Sequence, residues 1–186
     1  MKILKISPEN LRGVIKEVAK AIKNGQVVVC PTDTVYGLVC DATNKKAVEK
    51  IFKIKKRPKA KPLPIFVKDI KMAKKFAKID KKQEIFLRKV WPGAVTVVLK
   101  SRKKGTIGIR ISNHELVLDL VKHIGPLAET SANISWEPAS TKIKEVLEQF
   151  EWEKYQPDLV IDAGNLKKAR PSKVIDLTTW PPKILR

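Results

Sequence analysis

Residues 26–30 (QVVVC) decide how this sequence divides into structural elements, because they form a short, almost wholly apolar run. A run of this length that is rich in valine predicts a buried strand. Residues 10–24, just before it, carry apolar side chains at helical spacing, and Gly25 ends the predicted helix. Strand-like and helix-like segments then alternate along the chain. This alternation predicts one α/β domain over residues 1–186, built on a twisted, mixed β-sheet flanked by helices.

The other elements are predicted from the same signals. Asp69 and Asp80 stand where helix N-caps belong, each before a Lys-rich amphipathic segment, and Trp91-Pro92-Gly93 ends the second segment. Further helices are predicted over residues 41–56 (capped near Thr43 or Asn44), 114–123 and 140–150. Further strands are predicted over residues 63–67, 94–99, 106–110, 127–130, 159–162 and 174–177.

The charge of the chain is concentrated in its middle third. The 186 residues carry a formal net charge of +20, and residues 45–104 alone contain 22 basic and four acidic side chains. Such a field attracts polyanions. A lysine-rich solvated surface explains the same count equally well. Charge by itself does not decide between these two interpretations.

The sequence also indicates where the protein works. No apolar run approaches the roughly 18 residues of a membrane span, and the N-terminus has no apolar core of a signal peptide. Cys30 and Cys40 do not make a disulfide framework. We therefore expect a cytoplasmic protein.

Several familiar catalytic arrangements are missing from the sequence. His114 and His123 are nine residues apart on one predicted helix and do not share a face, and the two cysteines lack the spacing of a redox pair. No Walker A, GxGxxG or GxSxG motif is present. We expect no zinc site, and we interpret His114 as a surface or capping residue rather than a general base.

Four polar segments are the candidates for a functional site. They are residues 31–38 (PTDTVYGL), 55–63 (KKRPKAKPL), 106–110 (TIGIR) and 129–135 (ETSANIS). The first follows a buried strand, where the ligands of open α/β sheets gather, and the second suits a phosphate chain. Taken singly, the segments are also explained as turns and as a solvated basic loop. The charge of Arg110 needs a partner, which a substrate carboxylate, Glu129 or Asp119 would supply.

Taken together and in order, these segments resemble one family. PTDTVYGL, KKRPKAKPL, WPGAVTVVL, IGIR and TSANIS are similar to the motifs of the YrdC-like threonylcarbamoyl-AMP synthases, from about Gly25 to Arg186. The resemblance implies a YrdC-like fold in its short, single-domain form. It also implies that ATP, L-threonine and bicarbonate give threonylcarbamoyl-AMP and pyrophosphate. The product would serve modification of adenosine 37 in tRNAs that read ANN codons, with other proteins making the transfer.

The resemblance also implies roles for particular residues. Lys55 and Arg57 would be catalytic, and Mg²⁺ would accompany ATP. ATP would contact Arg57, Lys61, Thr106, Ser131, Asn133 and Arg186. Threonine would contact Thr34, Arg110 and Ser172.

The sequence departs from the family pattern at four places. The family usually has Asn at the position of Lys61, often a His near Phe66, a small or hydroxylic residue at Glu129, and Gly where Trp136 stands. These departures affect the expected phosphate and threonine contacts.

Two alternative functions also have some support in the sequence. The basic middle third would suit a protein that binds double-stranded RNA or tRNA, although its four phenylalanines fit helix and strand cores better than stacking platforms. Carbamoyl-adenylating enzymes of hydrogenase maturation use a related domain, but their additional domains do not fit in 186 residues.

Overall fold

The computed structural model describes residues 1–186 and arranges ten strands in one sheet. The strands are β1 (Lys2–Lys5), β2 (Val28–Cys30), β3 (Gly37–Asp41), β4 (Ile65–Phe66), β5 (Val95–Lys100), β6 (Thr106–Arg110), β7 (Leu127–Ser131), β8 (Leu159–Asp162), β9 (Lys173–Asp176) and β10 (Lys183–Ile184). Their order across the sheet is β1-β8-β2-β3-β7-β4-β6-β5-β9-β10. Four of the nine pairings are parallel and five are antiparallel, so the predicted mixed sheet is confirmed.

Six helices cover the sheet, and three of them begin at side-chain caps. They are α1 (Leu11–Lys23), α2 (Lys45–Ile54), α3 (Ile70–Phe76), α4 (Lys81–Val90), α5 (Glu115–Ile124) and α6 (Ile143–Phe150). Asn44, Asp69 and Asp80 each accept a hydrogen bond from a backbone N–H in the first turn of the following helix. No helix is long and apolar enough to cross a membrane.

The alternation of side chains along the strands separates two faces of the sheet. On one face, Val28, Val39, Phe66 and Leu127 form a core with α1 and α5. On the other face, α2 and α6 pack over one half of the sheet, and α3 and α4 pack over the other half. The α1/α5 face is the one that carries the candidate site.

Three strands were not predicted from the sequence. β1 and β10 lie at the two edges of the sheet, and β3 follows β2 after a six-residue turn. β3 is almost wholly buried between β2 and β7. It brings the PTDTVYGL turn against the end of β7.

Candidate active site

A cleft with about 950 Å³ of empty space opens on the α1/α5 face of the sheet. Its floor is made of alternate residues of the central strands, so that Thr106, Gly108 and Arg110 of β6 line it while Ile109 packs in the opposite core. A Cβ at Gly108 would lie 2.9 Å from Cβ of Pro64, closer than real Cβ contacts allow. The absence of a side chain at this position lets the chain before β4 lie close against β6.

The cleft collects seven of the ten residues that the resemblance singled out. These are Thr34, Arg57, Thr106, Arg110, Ser131, Ser172 and Arg186. Of the other three, Lys55 and Asn133 lie behind the wall that Ser131 forms, and Lys61 is exposed. The four polar segments, which are distant in sequence, therefore form one site.

Arg110 lies in the floor with its side chain only 3% exposed, and three hydrogen bonds fix its position. Nη2 donates to Oδ1 of Asp33 at 2.7 Å, Nη1 to Oγ1 of Thr34 at 3.3 Å, and Nε to the carbonyl oxygen of Gly93 at 3.0 Å. Asp33 is thus its ion-pair partner, rather than Glu129 or Asp119, and Asp119 pairs with Lys122. A guanidinium has five N–H groups, so one on each Nη remains for a ligand.

Asp33 is fixed in its charged form by its surroundings. Burial raises the pKa of its carboxyl, but the Arg110 charge and hydrogen bonds from Ser112, Arg110 and the backbone of Asn113 outweigh burial and lower it. Asp33 does not line the cleft. Its role in the site is to orient Arg110.

Residues 31–38 form both a turn and a wall of the cleft. Thr32 Oγ1 accepts a hydrogen bond from the Thr34 N–H at 3.0 Å and donates to the Val35 carbonyl oxygen at 2.7 Å. Thr32, Thr34 and Tyr36 all line the cleft, whereas the carboxylate of Asp33 in the same segment does not. The local turn chemistry is what points the hydroxyl of Thr34 toward Arg110.

Lys55 is buried, with 3% of its surface exposed, and does not line the cleft. Nζ donates to the carbonyl oxygens of Ser131 and Asn133 at 2.8 and 3.0 Å, to Asn133 Oδ1 at 2.7 Å and to Ser131 Oγ at 3.3 Å. Burial, followed by the charge of Arg57, lowers the pKa of Lys55 to about 7. Lys55 therefore fixes the loop that begins at Ser131.

Arg57 is turned into the cleft by the end of α2. Lys56 has φ +50°, and the N–H groups of Lys56 and Arg57 donate to the carbonyls of Lys53 and Phe52. This pair of bonds is a Schellman motif, which reverses the chain direction within two residues. Arg57 then donates to the carbonyl oxygens of Lys61 and Pro62 at 2.8 and 3.2 Å. The basic loop is therefore folded back on Arg57.

The C-terminal segments close the far side of the cleft. Ser172 Oγ lies 3.0 Å from Thr96 Oγ1, and both side chains are buried in the wall. Arg186 donates from Nη2 and Nε to the Ser172 carbonyl oxygen at 2.9 and 3.3 Å. Thr96 belongs to β5 and was missed in the sequence, because a threonine inside an apolar strand gives no signal of a pocket.

The electrostatics of the cleft favour an anionic ligand. Three guanidinium groups line it, those of Arg57, Arg110 and Arg186, against the single carboxylate of Glu129. No group of three or more His, Cys, Asp or Glu side chains that could hold a metal ion occurs anywhere in the structure. The arrangement suits a ligand that carries phosphate or carboxylate groups, held by hydrogen bonds and charge.

Two departures from the family pattern contact each other at the rim. Trp136 is 82% exposed and has φ +81°, a left-handed conformation that favours glycine. Lys61 Nζ lies 4.8 Å from the centre of its ring. Lys61 therefore makes a cation–π contact and does not reach into the cleft.

The sequence of the chain is similar to that of several known proteins. The sequence model of the Sua5/YciO/YrdC family, described as "Telomere recombination", matches residues 20–186. A putative threonylcarbamoyl-AMP synthase of Methanocaldococcus jannaschii is 36% identical over 188 residues, which cover 95% of this chain and 86% of that protein. The threonylcarbamoyl-AMP synthase of Pyrococcus abyssi is 36% identical over 183 residues, or 92% of this chain and 53% of that protein.

A solved structure shares the fold across the whole chain. The crystal structure of P. abyssi Sua5 complexed with L-threonine has a TM-score of 0.88 and 34% identity, and the match covers 100% of this chain and 56% of that one. The chain thus spans about half the length of the Pyrococcus protein and most of the length of the Methanocaldococcus protein.

Proposed function

The chain belongs to the Sua5/YciO/YrdC family, and from this premise we propose that it is an L-threonylcarbamoyladenylate synthase. The enzyme converts L-threonine, bicarbonate and ATP to threonylcarbamoyl-AMP and pyrophosphate. The observation that carries the proposal is the cleft itself, in which three arginines from distant segments converge around a hydroxyl-lined floor. The relatives named as threonylcarbamoyl-AMP synthases and the threonine-bound Sua5 structure support the choice of substrates.

The adenylation step requires positive charge around the reacting groups more than a nucleophilic side chain. A carbamate oxygen attacks the α-phosphorus of ATP, and pyrophosphate leaves. Two anions must meet in this step, so its catalysis is mostly positioning and electrostatic stabilisation. Arg57 and Arg186 both line the cleft and are proposed to bind the phosphates. Thr106 and Ser131 are proposed to contact the nucleotide.

Threonine is proposed to lie over the floor at Arg110. The two free N–H groups of that guanidinium, one on each Nη, match the two oxygens of a carboxylate. Thr34 and Ser172 present hydroxyls to the same space and would recognise the polar groups of the amino acid. Asp33, Lys55 and Asn133 are positioning residues, because they hold Arg110 and Ser131 from outside the cleft.

Magnesium is proposed to enter with ATP rather than as a resident metal. Mg²⁺ typically keeps several waters and binds through one or two carboxylates and the substrate phosphates. The cleft offers one carboxylate and no cluster of metal-ligating side chains. The ion would therefore travel on the triphosphate, where it supplies charge neutralisation.

The product is proposed to be handed to proteins that transfer the threonylcarbamoyl group to adenosine 37 of tRNAs reading ANN codons. RNA binding as the main role is not proposed. Phe66 is fully buried, and Phe76 and Phe86 pack against the core under α3 and α4. The fourth, Phe52 on α2, is partly buried, so the basic middle third presents no row of exposed phenylalanines on which successive bases would stack.

The test is pyrophosphate release from ATP that requires both L-threonine and bicarbonate. The synthase assignment would be contradicted if pyrophosphate were released when L-threonine or bicarbonate is omitted. It would also be contradicted if no pyrophosphate were released when both are present. Arg57→Ala should lower the rate at least tenfold, and Arg110→Ala should raise the threonine requirement more than the ATP requirement. Arg12→Ala is the matched control, because Arg12 is an exposed arginine on α1, outside the cleft.

A further inference from the structure

Glu129 is a carboxylate placed in the floor of a cationic cleft. It lies on β7 opposite Val39, and its backbone N–H donates to the Pro64 carbonyl oxygen at 2.9 Å. The residue is only 8% exposed, and it lines the cleft. Its backbone N–H is therefore used within the sheet, and its side chain is the part of the residue that carries a charge into the cleft.

The carboxylate of Glu129 has no hydrogen-bond donor of its own in the protein. Five charged groups lie around it: Arg110 on β6, Arg186 after β10, Asp33 in the turn after β2, and Lys55 and Arg57 at the end of α2. Each of the five is bonded elsewhere: Arg110 to Asp33, Arg186 to Ser172, Lys55 to Ser131 and Asn133, and Arg57 to the carbonyl oxygens of Lys61 and Pro62. The carboxylate therefore opens into the cleft with no donor from the protein, and it is available to the donors of a ligand.

The α-ammonium of threonine needs a charged acceptor, and Glu129 is the one that the cleft offers. Threonine is a zwitterion, and its α-ammonium is attached to the carbon that bears the carboxylate. If the carboxylate pairs with Arg110, the ammonium must lie close by on the same floor. Glu129 is the only carboxylate that lines the cleft.

We propose that Glu129 receives the α-ammonium of the amino-acid substrate and acts as the base that deprotonates it. This inference rests on the proposed function. In the step, R–NH₃⁺ gives its proton to Glu129 and becomes R–NH₂, and the carboxylate becomes a carboxyl. The amine nitrogen then attacks the carbon of bicarbonate, a C–N bond forms, and water leaves, so that R–NH₂ and HCO₃⁻ give R–NH–COO⁻ and H₂O.

The environment of Glu129 supports this chemistry. Burial raises the pKa of its carboxyl, and the charges of Arg110 and Arg186 offset this only in part. A carboxylate with a raised pKa accepts a proton more readily than an ordinary one. A divalent cation is a poorer occupant, because a single carboxylate without other metal-ligating side chains is a weak anchor for it.

The first experiment measures binding and needs no turnover. Calorimetry compares L-threonine with 3-hydroxybutanoate, which keeps the carboxylate and hydroxyl but lacks the ammonium. The wild-type protein should prefer threonine at least tenfold, and Glu129→Gln should lose most of that preference. Glu137→Gln is the control, because Glu137 is an exposed glutamate that does not line the cleft.

The outcomes separate this proposal from the synthase assignment. If the wild-type protein binds neither compound, the proposed function fails as well. If it binds threonine but does not discriminate against 3-hydroxybutanoate, only the role of Glu129 is overturned. This comparison uses the wild-type protein, so it can overturn the role of Glu129 even if Glu129→Gln does not fold.

The second experiment follows the rate of pyrophosphate release with pH. In Glu129→Gln, the rate should be at least tenfold lower at pH 7 and should rise toward pH 9 as free amine becomes available. The threonine KM should rise, while the ATP and Mg²⁺ requirements stay unchanged. A wild-type pH profile in the variant would overturn the proposal, and so would a shift confined to the Mg²⁺ requirement, which would make Glu129 a ligand of the ATP-bound ion.

Discussion

Replacing Gly108 by alanine should destabilise the protein through a single added methyl group. Gly108 lies in the middle of β6, on the floor of the cleft. An alanine Cβ there would lie 2.9 Å from Cβ and 3.4 Å from Cα of Pro64, and 3.6 Å from Cγ2 of Thr96. The proline ring cannot rotate away, and its backbone carbonyl is bonded to Glu129. Relief therefore requires the strands to move.

The expected magnitude is the difference between two effects. Overpacking a rigid interior typically costs about 1–3 kcal/mol. The alanine also restricts the unfolded chain, which returns about 0.4–1 kcal/mol. The net loss in the free energy of unfolding should therefore be about 1–2 kcal/mol. Gly13→Ala gives the matched control, because Gly13 is exposed on α1, with no atom within 4 Å of an added Cβ.

The two variants should change stability in opposite directions. Gly13→Ala should gain about 0.5–1 kcal/mol, since glycine is the poorer helix former. Urea unfolding curves of the wild type and both variants measure these values at one pH and temperature. The reasoning about the floor is refuted if Gly108→Ala unfolds at the same urea concentration as the wild type or at a higher one. In that case Pro64 and β6 do not press together as described.

Three other predictions follow from the structure. Trp136→Gly should stabilise the protein by up to about 1 kcal/mol in a urea titration, because glycine adopts the left-handed conformation of this position without the steric cost of about 1–2 kcal/mol, while the freer unfolded chain offsets about 0.4–1 kcal/mol of this gain and the exposed contact with Lys61 is lost; a clear loss of stability would contradict this. The pKa of Lys55 is lowered to about 7 from 10.5, so the unfolded chain keeps a proton on this lysine between these values and the contribution of Lys55 to the free energy of unfolding should rise with pH; in urea titrations from pH 7 to 9, up to the ordinary pKa of the buried thiols, the wild type should gain more stability with pH than Lys55→Met. Cys30 and Cys40 are fully buried, and burial raises the pKa of both thiols, so a thiol reagent should modify neither at pH 8 until denaturant is added; prompt modification of the native protein would count against the packing described for β2 and β3.

The parts of the fold that were predicted correctly carry local signals. Residues 106–110 are bounded by Gly105 and alternate apolar with small or charged side chains, and β6 occupies that range. Asp69 and Asp80 cap α3 and α4 as expected, because an Asx side chain satisfies the free N–H groups of a first turn. Such signals depend on neighbouring residues, so they can be recognised without knowledge of the tertiary structure.

The strands that were missed lack these signals. β1 (KILK) carries lysine at both ends and lies at an edge, and β10 is two exposed residues. β3 begins at Gly37, where the polar turn ends, and its apolar run is short. What makes these segments strands is the partner beside them, β8, β9 and β7 respectively, and that pairing is a property of the folded chain.

The site, like the fold, has parts that the sequence predicts and parts that only the folded chain determines. The motifs brought together the right segments, and most of their polar side chains line one cleft. The sequence could not predict that Asp33 would be the partner of Arg110, because 77 residues separate them. Nor could it predict that Lys55 points into the protein and Arg57 into the cleft. That difference is set by the left-handed conformation of Lys56, at a residue type that rarely adopts it.

The floor of the cleft joins strands that are far apart in the chain, such as β3 with β7 and β5 with β9. No contiguous fragment presents the complete set of ligand contacts, and neither does a partly unfolded chain. Any small molecule that fits the cleft therefore binds only the native state, and its binding free energy adds to the stability of the whole fold. A ligand at 100 times its Kd would contribute about 2.7 kcal/mol. The melting temperature of this protein is thus a direct gauge of cleft occupancy, and a thermal-shift screen can rank nucleotides and amino acids without any assay of turnover.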